Sequence, residues 1–362
     1  MTAKWVTPEE FKTAQANVKS GSKGQFLVKV GQVSSGSDVG IPVVVVNGKK
    51  DGPRLLITSG QHSEETASMD AVKRFAAAVK PAEVSGTMVL VPLINVPAYI
   101  HRSRLYPYDA PSVADVGTVR PEAGGVLSAR VAYAMADCIS LGANFAFDIH
   151  STHLDSMNYP RAMTTITGTE PPDVQKKRVD LTYKLGYEVV HLWNVGRTGE
   201  GSGIQSILHS RGCPRVGAEA GEGWRNLDPF PEIMVRSIRN FCKATGVMKG
   251  ALEMPDVQIE VDKRAEITAN CGGMSHLHVK PGDFVRAGQV VAEVRNMFDE
   301  VVDELKTPIN GIVIRCSLLP TVATGARLCN VSETPARFEK KWNNRKLPTL
   351  ESKIALAGYN RT

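Results

Sequence analysis

His62 and Glu65 lie three residues apart, directly after an apolar run at residues 55–57 that predicts a buried strand. Residues 66–79 predict a helix, so both side chains are expected where a strand ends and a helix begins. In open α/β sheets, ligands bind at the carboxyl ends of the strands. An imidazole nitrogen and a carboxylate oxygen at this spacing can bind one cation, and this pair of ligand types suits Zn²⁺.

A second apolar run, residues 143–149, predicts another strand of the same sheet and ends at His150. A catalytic zinc site needs three protein ligands and one open position for water, and His62, Glu65 and His150 supply the three. Asp148 precedes His150 by two residues and therefore lies on the same face of the strand. It either orients the imidazole through its second nitrogen or is an ordinary carboxylate at a polar strand end, and both interpretations stay open.

A carboxylate that could act as a base follows a third short strand, at residues 215–218. A carboxylate beside metal-activated water can take its proton and pass it to a leaving amine. Glu219, at the strand end, is the predicted base. Glu222, which lies between two glycines, is the alternative, and its other interpretation is a surface carboxylate in a loop.

The order of these motifs resembles the succinylglutamate desuccinylase/aspartoacylase family of carboxypeptidase A-like zinc hydrolases, over about residues 40–332. The resemblance rests on H-x-x-E at His62, on the Asp-Ile-His-Ser run that contains His150, and on Glu219 before a glycine. It implies that His62, Glu65 and His150 bind zinc and that Glu219 is the general base. It also implies an α/β fold, namely a mixed-sheet zinc carboxypeptidase-like catalytic domain with helices on both faces.

Further site residues come from the same resemblance. Arg104 and Asp109 match an Arg and an Asp of the family, and Asn95 begins a turn similar to the family's N-P-x-A turn. We therefore expect Arg104 to be catalytic, through the oxyanion or a substrate anion, and Asn95 and Asp109 to contact the substrate. His153 is predicted to contact the substrate as well, although a fourth metal ligand or a polar rim residue are open alternatives.

The sequence departs from the family at one point that bears on the substrate. The Asn-Arg pair that holds the substrate's carboxylate in the family is absent, and residues 112–117 read Ser-Val-Ala-Asp-Val-Gly instead. Since Arg is the preferred bidentate partner of a carboxylate, Arg102, Arg120 or Arg161 would have to replace it. A neutral or cationic amide is the alternative substrate.

These features predict a zinc-dependent hydrolase that removes the acyl group from an N-acylated amino acid or small amine, cleaving a C–N bond other than a peptide bond. A zinc carboxypeptidase acting on small peptides is one alternative. A non-catalytic binding protein built on the C-terminal β region is another.

The chain is predicted to divide into a hydrolase domain at residues 1–252, a β domain at 258–335 and a basic tail at 336–362. Residues 279–294 and 306–313 resemble the two halves of a biotinyl/lipoyl-type barrel-sandwich. The tip between the halves, residues 295–298, lacks the Lys that carrier domains modify, and Lys306 lies on the following strand instead. The tail either wraps a neighbouring surface or subunit or is a solvated extension.

Charge, cysteine content and apolar runs indicate which binding partners and which cellular compartment to expect for this protein. The formal charge of +6 is spread along the 362 residues, so nucleic acid is not expected as a partner. Six cysteines lie far apart without a C-x-x-C pair, which is typical of reduced thiols in a cytoplasmic protein. Residues 1–15 show no signal peptide, and no apolar run is long enough to span a membrane. The expected partner is a small-molecule amide, and homo-oligomerisation is left open.

Overall fold

The structure, a computed structural model, describes residues 2–108, 115–166, 170–194, 204–226 and 228–346. Asp109, a predicted substrate contact, lies outside these residues. Within them, a mixed sheet of fourteen strands forms the centre of the molecule. Eleven of its strands lie in the order β1 (Lys4–Val6), β2 (Ser22–Gln32), β3 (Asp38–Asn47), β5 (Ser85–Val91), β4 (Lys50–Ser59), β6 (Phe145–His150), β9 (Arg215–Glu222), β7 (Ser156–Ile166), β16 (Gly311–Ser317), β18 (Arg327–Glu333) and β11 (Arg264–Thr268).

The remaining strands extend this sheet or form a second one. In the main sheet, β8 (Val189–Asn194) pairs with β7, β10 (Ile259–Val261) with β8, and β13 (Phe284–Val285) with β16. The second sheet has four strands in the order β15 (Val301–Lys306), β14 (Val290–Arg295), β12 (Gly273–Leu277) and β17 (Thr321–Val322).

Four parallel strands, β5, β4, β6 and β9, form the middle of the main sheet. Side chains alternate between the two faces of a strand, so these buried strands feed two cores. In β4, Leu55 and Ile57 enter one core and Leu56 the other. In β6, Phe147 and Ile149 enter the first core, which leaves Asp148 and His150 on the opposite face.

Helices cover both faces of the main sheet, as expected from the sequence. The described helices are α1 (Pro8–Ala16), α2 (Thr66–Ala78), α3 (Val96–His101), α4 (Leu127–Tyr133), α5 (Pro172–Lys184), α6 (Ile204–Ser210), α7 (Phe230–Ala244) and α8 (Glu339–Asn343). α2, α5 and α7 pack into the first core, whereas α1, α4 and α6 pack into the second. A π-helical segment, Ala134–Ile139, continues α4. None of the helices in the described ranges is long and apolar enough to cross a membrane.

The C-terminal strands continue the main sheet because β16 pairs antiparallel with β7. A third apolar core lies between these strands and the second sheet, with Val313 and Leu328 from one and Val291 and Leu305 from the other. The beginning of the predicted tail packs on this chain itself. Trp342 is fully buried, and its indole N–H donates to the Gly282 carbonyl at 2.8 Å. Trp342 therefore anchors residues 336–346 on the chain, while most other residues of this segment are exposed.

Candidate metal centre and active site

His62, Glu65 and His150 meet at the carboxyl ends of β4 and β6. Residues 55–59 of β4 pair in parallel with 145–149 of β6, so the two strands end side by side. Nδ1 of His62 lies 2.9 Å from Oε1 of Glu65, and Nδ1 of His150 lies 2.7 Å from Oε2 of Glu65. The three potential ligand atoms lie within 4.8 Å of one another. Two imidazole nitrogens and a carboxylate oxygen this close are a suitable donor set for a divalent transition metal.

Each imidazole has a second carboxylate on its other nitrogen. Nε2 of His150 lies 3.0 Å from Oδ2 of Asp148, which is buried and also accepts from the Thr58 hydroxyl at 2.7 Å. Nε2 of His62 lies 3.3 Å from Oδ2 of Asp115. These contacts orient both rings with Nδ1 toward the shared position, as carboxylates commonly do for metal-binding imidazoles.

The same carboxylates set the charges of the centre. Burial alone would lower the pKa of His150, but Glu65 and Asp148 raise it well above its ordinary value. Burial opposes the charge on Glu65 too, yet the two imidazoles hold the pKa of this carboxyl well below its usual range. For His62, burial is again opposed by Asp115 and Glu65, and its pKa is raised. Without a metal, the carboxylates therefore favour the protonated form of both imidazoles, and the imidazoles favour the ionised form of Glu65.

A cavity of about 350 Å³ opens on this centre, within the size range of small-molecule sites. Glu219 lines it, because Arg215, Gly217 and Glu219 lie on the face of β9 that is opposite the first core. Glu219 is in register with His150 across the β6–β9 pair and accepts from the Asn158 amide at 2.8 Å. The predicted base and the predicted metal ligands thus face one cavity.

Glu222 does not line this cavity and is not a loop carboxylate either. It is the last residue of β9, its side chain is 4% exposed, and it pairs with Arg225 at 2.8 Å. The expectation of a surface loop is wrong because β9 continues through Gly221 to Glu222, where it still pairs with β7.

Two further predicted residues, Arg104 and His153, also line the cavity. Nη2 of Arg104 lies 3.1 Å from Nδ1 of His62, and its Nη1 pairs with Glu64. His153 is exposed, and burial of part of its ring together with Arg104 and Arg315 lowers its pKa. A lowered pKa keeps this imidazole neutral at pH 7, so it can donate or accept a hydrogen bond there.

Asn95 lies outside the cavity, which corrects its assignment as a substrate contact. Its side chain is 1% exposed and caps α3 by accepting from the Ala98 N–H at 3.2 Å. Its amide donates to the Gln61 carbonyl at 3.3 Å. Both ends of the side chain are used within the protein, so Asn95 fixes the backbone before His62 instead of binding a ligand.

The cavity wall is rich in guanidinium groups, most of which the sequence analysis did not single out. Among the described lining residues, seven are arginines and three are carboxylates. The arginines are Arg104, Arg161, Arg178, Arg215, Arg264, Arg315 and Arg327. Of the three arginines considered as replacements for the family pair, Arg161 lines the cavity, while Arg102 and Arg120 are exposed and do not.

A comparison with models of known protein families agrees with the resemblance found in the sequence motifs. The family model of the succinylglutamate desuccinylase/aspartoacylase catalytic domain matches residues 51–192, which include His62, Glu65 and His150. Residues 51–192 are therefore similar to the catalytic domain of the succinylglutamate desuccinylase/aspartoacylase family. This confirms the resemblance seen in the sequence motifs.

Relatives of this family share the fold over most of the chain. N-alpha-acetyl-L-2,4-diaminobutyric acid deacetylase of Halomonas elongata is 24% identical over 261 residues, 71% of this chain and 74% of that protein. The product-bound ectoine utilization protein EutE of Ruegeria pomeroyi superposes with a TM-score of 0.77 at 19% identity, covering 88% of this chain and 97% of its own. A succinylglutamate desuccinylase/aspartoacylase of Rhodobacter sphaeroides gives 0.76 at 22% identity, covering 88% and 96%.

Proposed function

We propose that this protein is a zinc-dependent deacylase that hydrolyses the amide bond of a small N-acylated amino acid. The observation that carries the proposal is the convergence of His62, Glu65 and His150 on one position, with Glu219 facing the same cavity. The name of the Halomonas elongata relative, a deacetylase of an N-acetylated amino acid, supports this class of substrate.

Zn²⁺ held by His62, Glu65 and His150 would supply a Lewis acid for the scissile carbonyl and would make water acidic enough to attack at neutral pH. In this proposal Glu219 takes a proton from the attacking water and returns it to the leaving amine. Arg104, which lies against His62, donates to the oxygen of the scissile carbonyl as negative charge develops on it. Asp148 and Asp115 keep the two imidazoles oriented through their Nε2 atoms.

The test is a panel of N-acyl amino acids, simple amides and dipeptides incubated with the zinc-loaded protein, with release of the free amine as the readout. We expect hydrolysis of N-acyl amino acids that is lost on chelation and in His62→Ala. His276→Ala is the matched control, because His276 is an exposed imidazole of β12 that does not line this cavity. Stoichiometric zinc that survives replacement of both His62 and His150 by Ala would contradict the assignment.

The domain limits belong to the same proposal. We place the hydrolase domain at residues 1–252, a biotinyl/lipoyl-like barrel-sandwich at 258–335 and the tail at 336–362. The support for the barrel-sandwich is the apolar core between β16 and β18 on one side and β14 and β15 on the other. The support for a cytoplasmic location is the cysteine pattern, and all six thiols are free in the structure.

A further inference from the structure

Four arginines on four adjacent strands line the cavity that also holds the proposed base. Arg161 of β7 is in register with Glu219 of β9, and β16, β18 and β11 follow β7 in the sheet. Arg315 of β16 is in register with Asn158 of β7 and with Asn330 of β18. Arg327 begins β18, and Arg264 begins β11. All four side chains line the cavity, and Arg264 and Arg327 approach it from opposite ends of the antiparallel β11–β18 pair, where Arg264 is in register with Ser332 and Arg327 with Thr268.

Arg161 is buried and Arg315 is partly buried, and each has a donor that is not used within the described part of the chain. The side chain of Arg161 is 8% exposed and that of Arg315 is 15% exposed. The Nε atoms of both are buried without a hydrogen-bond partner in the described part of the chain. A buried N–H of a charged group that lacks an acceptor is costly, so these two guanidiniums are incompletely satisfied by the described part of the chain.

The other two arginines share one carboxylate. Arg264 and Arg327 each lie 3.0 Å from an oxygen of Glu266, and the guanidinium of Arg264 lies over the Trp193 ring at 4.5 Å. Stacking on an indole holds a guanidinium in place without neutralising it.

The charges of this group do not balance. Glu219 pairs with Arg161, Asp155 with Arg315, and Glu266 with both of the others, so one positive charge has no carboxylate of its own. Burial, followed by the nearby guanidiniums of Arg327 and Arg161, lowers the pKa of both Arg264 and Arg315 against the effect of their carboxylate partners. Guanidiniums crowded enough to affect one another favour an anion between them.

We infer that Arg161, Arg264, Arg315 and Arg327 form an anion subsite that binds a carboxylate of the substrate. This inference rests on the proposed deacylase function, because the subsite lies in the same cavity as Glu219. Guanidinium groups match a carboxylate with two parallel hydrogen bonds, which a neutral or cationic amide cannot accept in the same way. The subsite would also replace the carboxylate-binding Asn-Arg pair of the family, which is absent from residues 112–117.

The carboxylate can belong either to the amino acid that is released or to a dicarboxylic acyl group. Two comparisons separate these sources. The first compares an N-acetyl amino acid with its C-terminal carboxamide, and the second compares N-succinyl with N-acetyl forms of one uncharged amine. The subsite binds the amino-acid carboxylate if its removal raises KM, and it binds the acyl carboxylate if the succinyl form has the lower KM. Both comparisons use the zinc-loaded full chain.

Binding of succinate and of its uncharged diamide, followed by calorimetry, tests the subsite without requiring turnover. We expect succinate to bind and the diamide to bind far more weakly, with succinate affinity falling as salt is added. Arg264→Gln and Arg327→Gln should each weaken succinate binding by about tenfold, the typical effect of losing one charge-assisted hydrogen bond. Arg286→Gln is the matched control, because Arg286 forms an equivalent surface pair with Glu339 outside the cavity.

A variant that is expected to bind succinate more tightly distinguishes a loss of the subsite from a loss of folding. Glu266→Gln removes the carboxylate shared by Arg264 and Arg327, so it should tighten succinate binding. Arg264→Gln and Arg327→Gln proteins that bind succinate as tightly as Arg286→Gln would overturn the subsite. If the panel of amides shows no hydrolysis while succinate binding follows this pattern, the deacylase proposal fails and the anion subsite stands.

Discussion

Arg161 donates to Glu219 across the β7–β9 pair, where the two residues stand in register. On the other side of the same strand, Glu219 is in register with His150 of β6. Neighbouring strands lie about 4.8 Å apart, so one carboxylate stands between a candidate metal ligand and a guanidinium that lines the cavity. This position suits a base, because the proposed metal position is one strand away.

Glu219→Gln should retain the metal and lose turnover. The amide keeps the size of the carboxylate and its contact with Arg161, but it cannot take a proton from water. We expect kcat to fall by about 10²–10⁴-fold, the usual contribution of a general base. Metal content and kcat are to be measured on the same sample.

Glu222→Gln is the control for the preceding variant, because it changes the same chemical group three residues away on the same strand. Its side chain pairs with Arg225 outside the cavity, so kcat should stay near the wild-type value. Full activity in Glu219→Gln together with an inactive Glu222→Gln would transfer the base to Glu222.

The strand ends of this site could be predicted from the sequence, whereas the wall of the cavity could not. β4, β6 and β9 each contain a short apolar run shortly before the residue of interest, so this pattern locates His62, His150 and Glu219. β7 has no such pattern, since it contains Asn158, Pro160 and Arg161 and was not predicted as a strand. The ladder shifts register between Asn158 and Arg161, where Pro160 has no N–H to donate.

Long-range contacts explain the other omissions. Asp115 reaches His62 across 53 residues, and Arg264 and Arg327 enter the cavity from strands that follow the predicted domain boundary. No local pattern of residues predicts contacts between residues so far apart in the sequence. The positions of Arg264 and Arg327 depend on β16 pairing with β7, which places the C-terminal strands beside the candidate metal centre.

Asp148→Asn should weaken metal binding without removing a ligand. Asp148 accepts from His150 and Thr58, so the amide would leave the ring less well oriented and its Nδ1 less basic. We expect a loss of about 10–100-fold in zinc affinity, as for comparable carboxylates behind metal-binding imidazoles. Competition with a chromogenic chelator measures it.

Asp137→Asn is the matched control for Asp148→Asn, since Asp148 pairs with Arg215 and Asp137 pairs with Arg211 but is 35% exposed. Thermal melts of both variants show whether each is folded. Equal zinc affinity in the two variants would mean that Asp148 has no part in holding the metal.

The β14–β15 hairpin should carry no biotin or lipoate. Its tip exposes Met297 and Phe298, which are 76% and 85% exposed, and Lys306 lies at the far end of β15 opposite Val290. Ligases that attach these groups need a Lys presented at a hairpin tip. Intact mass of the protein expressed with biotin and lipoate ligases should equal the sequence mass, and an adduct of either size on Lys306 would refute the prediction.

Metal binding should release protons at neutral pH. Burial lowers the pKa of His150, but Glu65 and Asp148 outweigh it and raise the pKa well above the ordinary value, so the metal-free imidazole is protonated. A metal binds only the neutral nitrogen, and the proton must leave. A raised pKa in the free state therefore makes zinc affinity fall as the pH is lowered.

Calorimetry at pH 7 in two weakly chelating buffers of different ionisation enthalpy should give different apparent enthalpies, equivalent to about one proton or more per zinc. Asp148→Asn removes one of the two carboxylates that hold this proton, so its proton release should be smaller. Identical enthalpies in both buffers for the wild-type protein would show that His150 is already neutral before the metal binds.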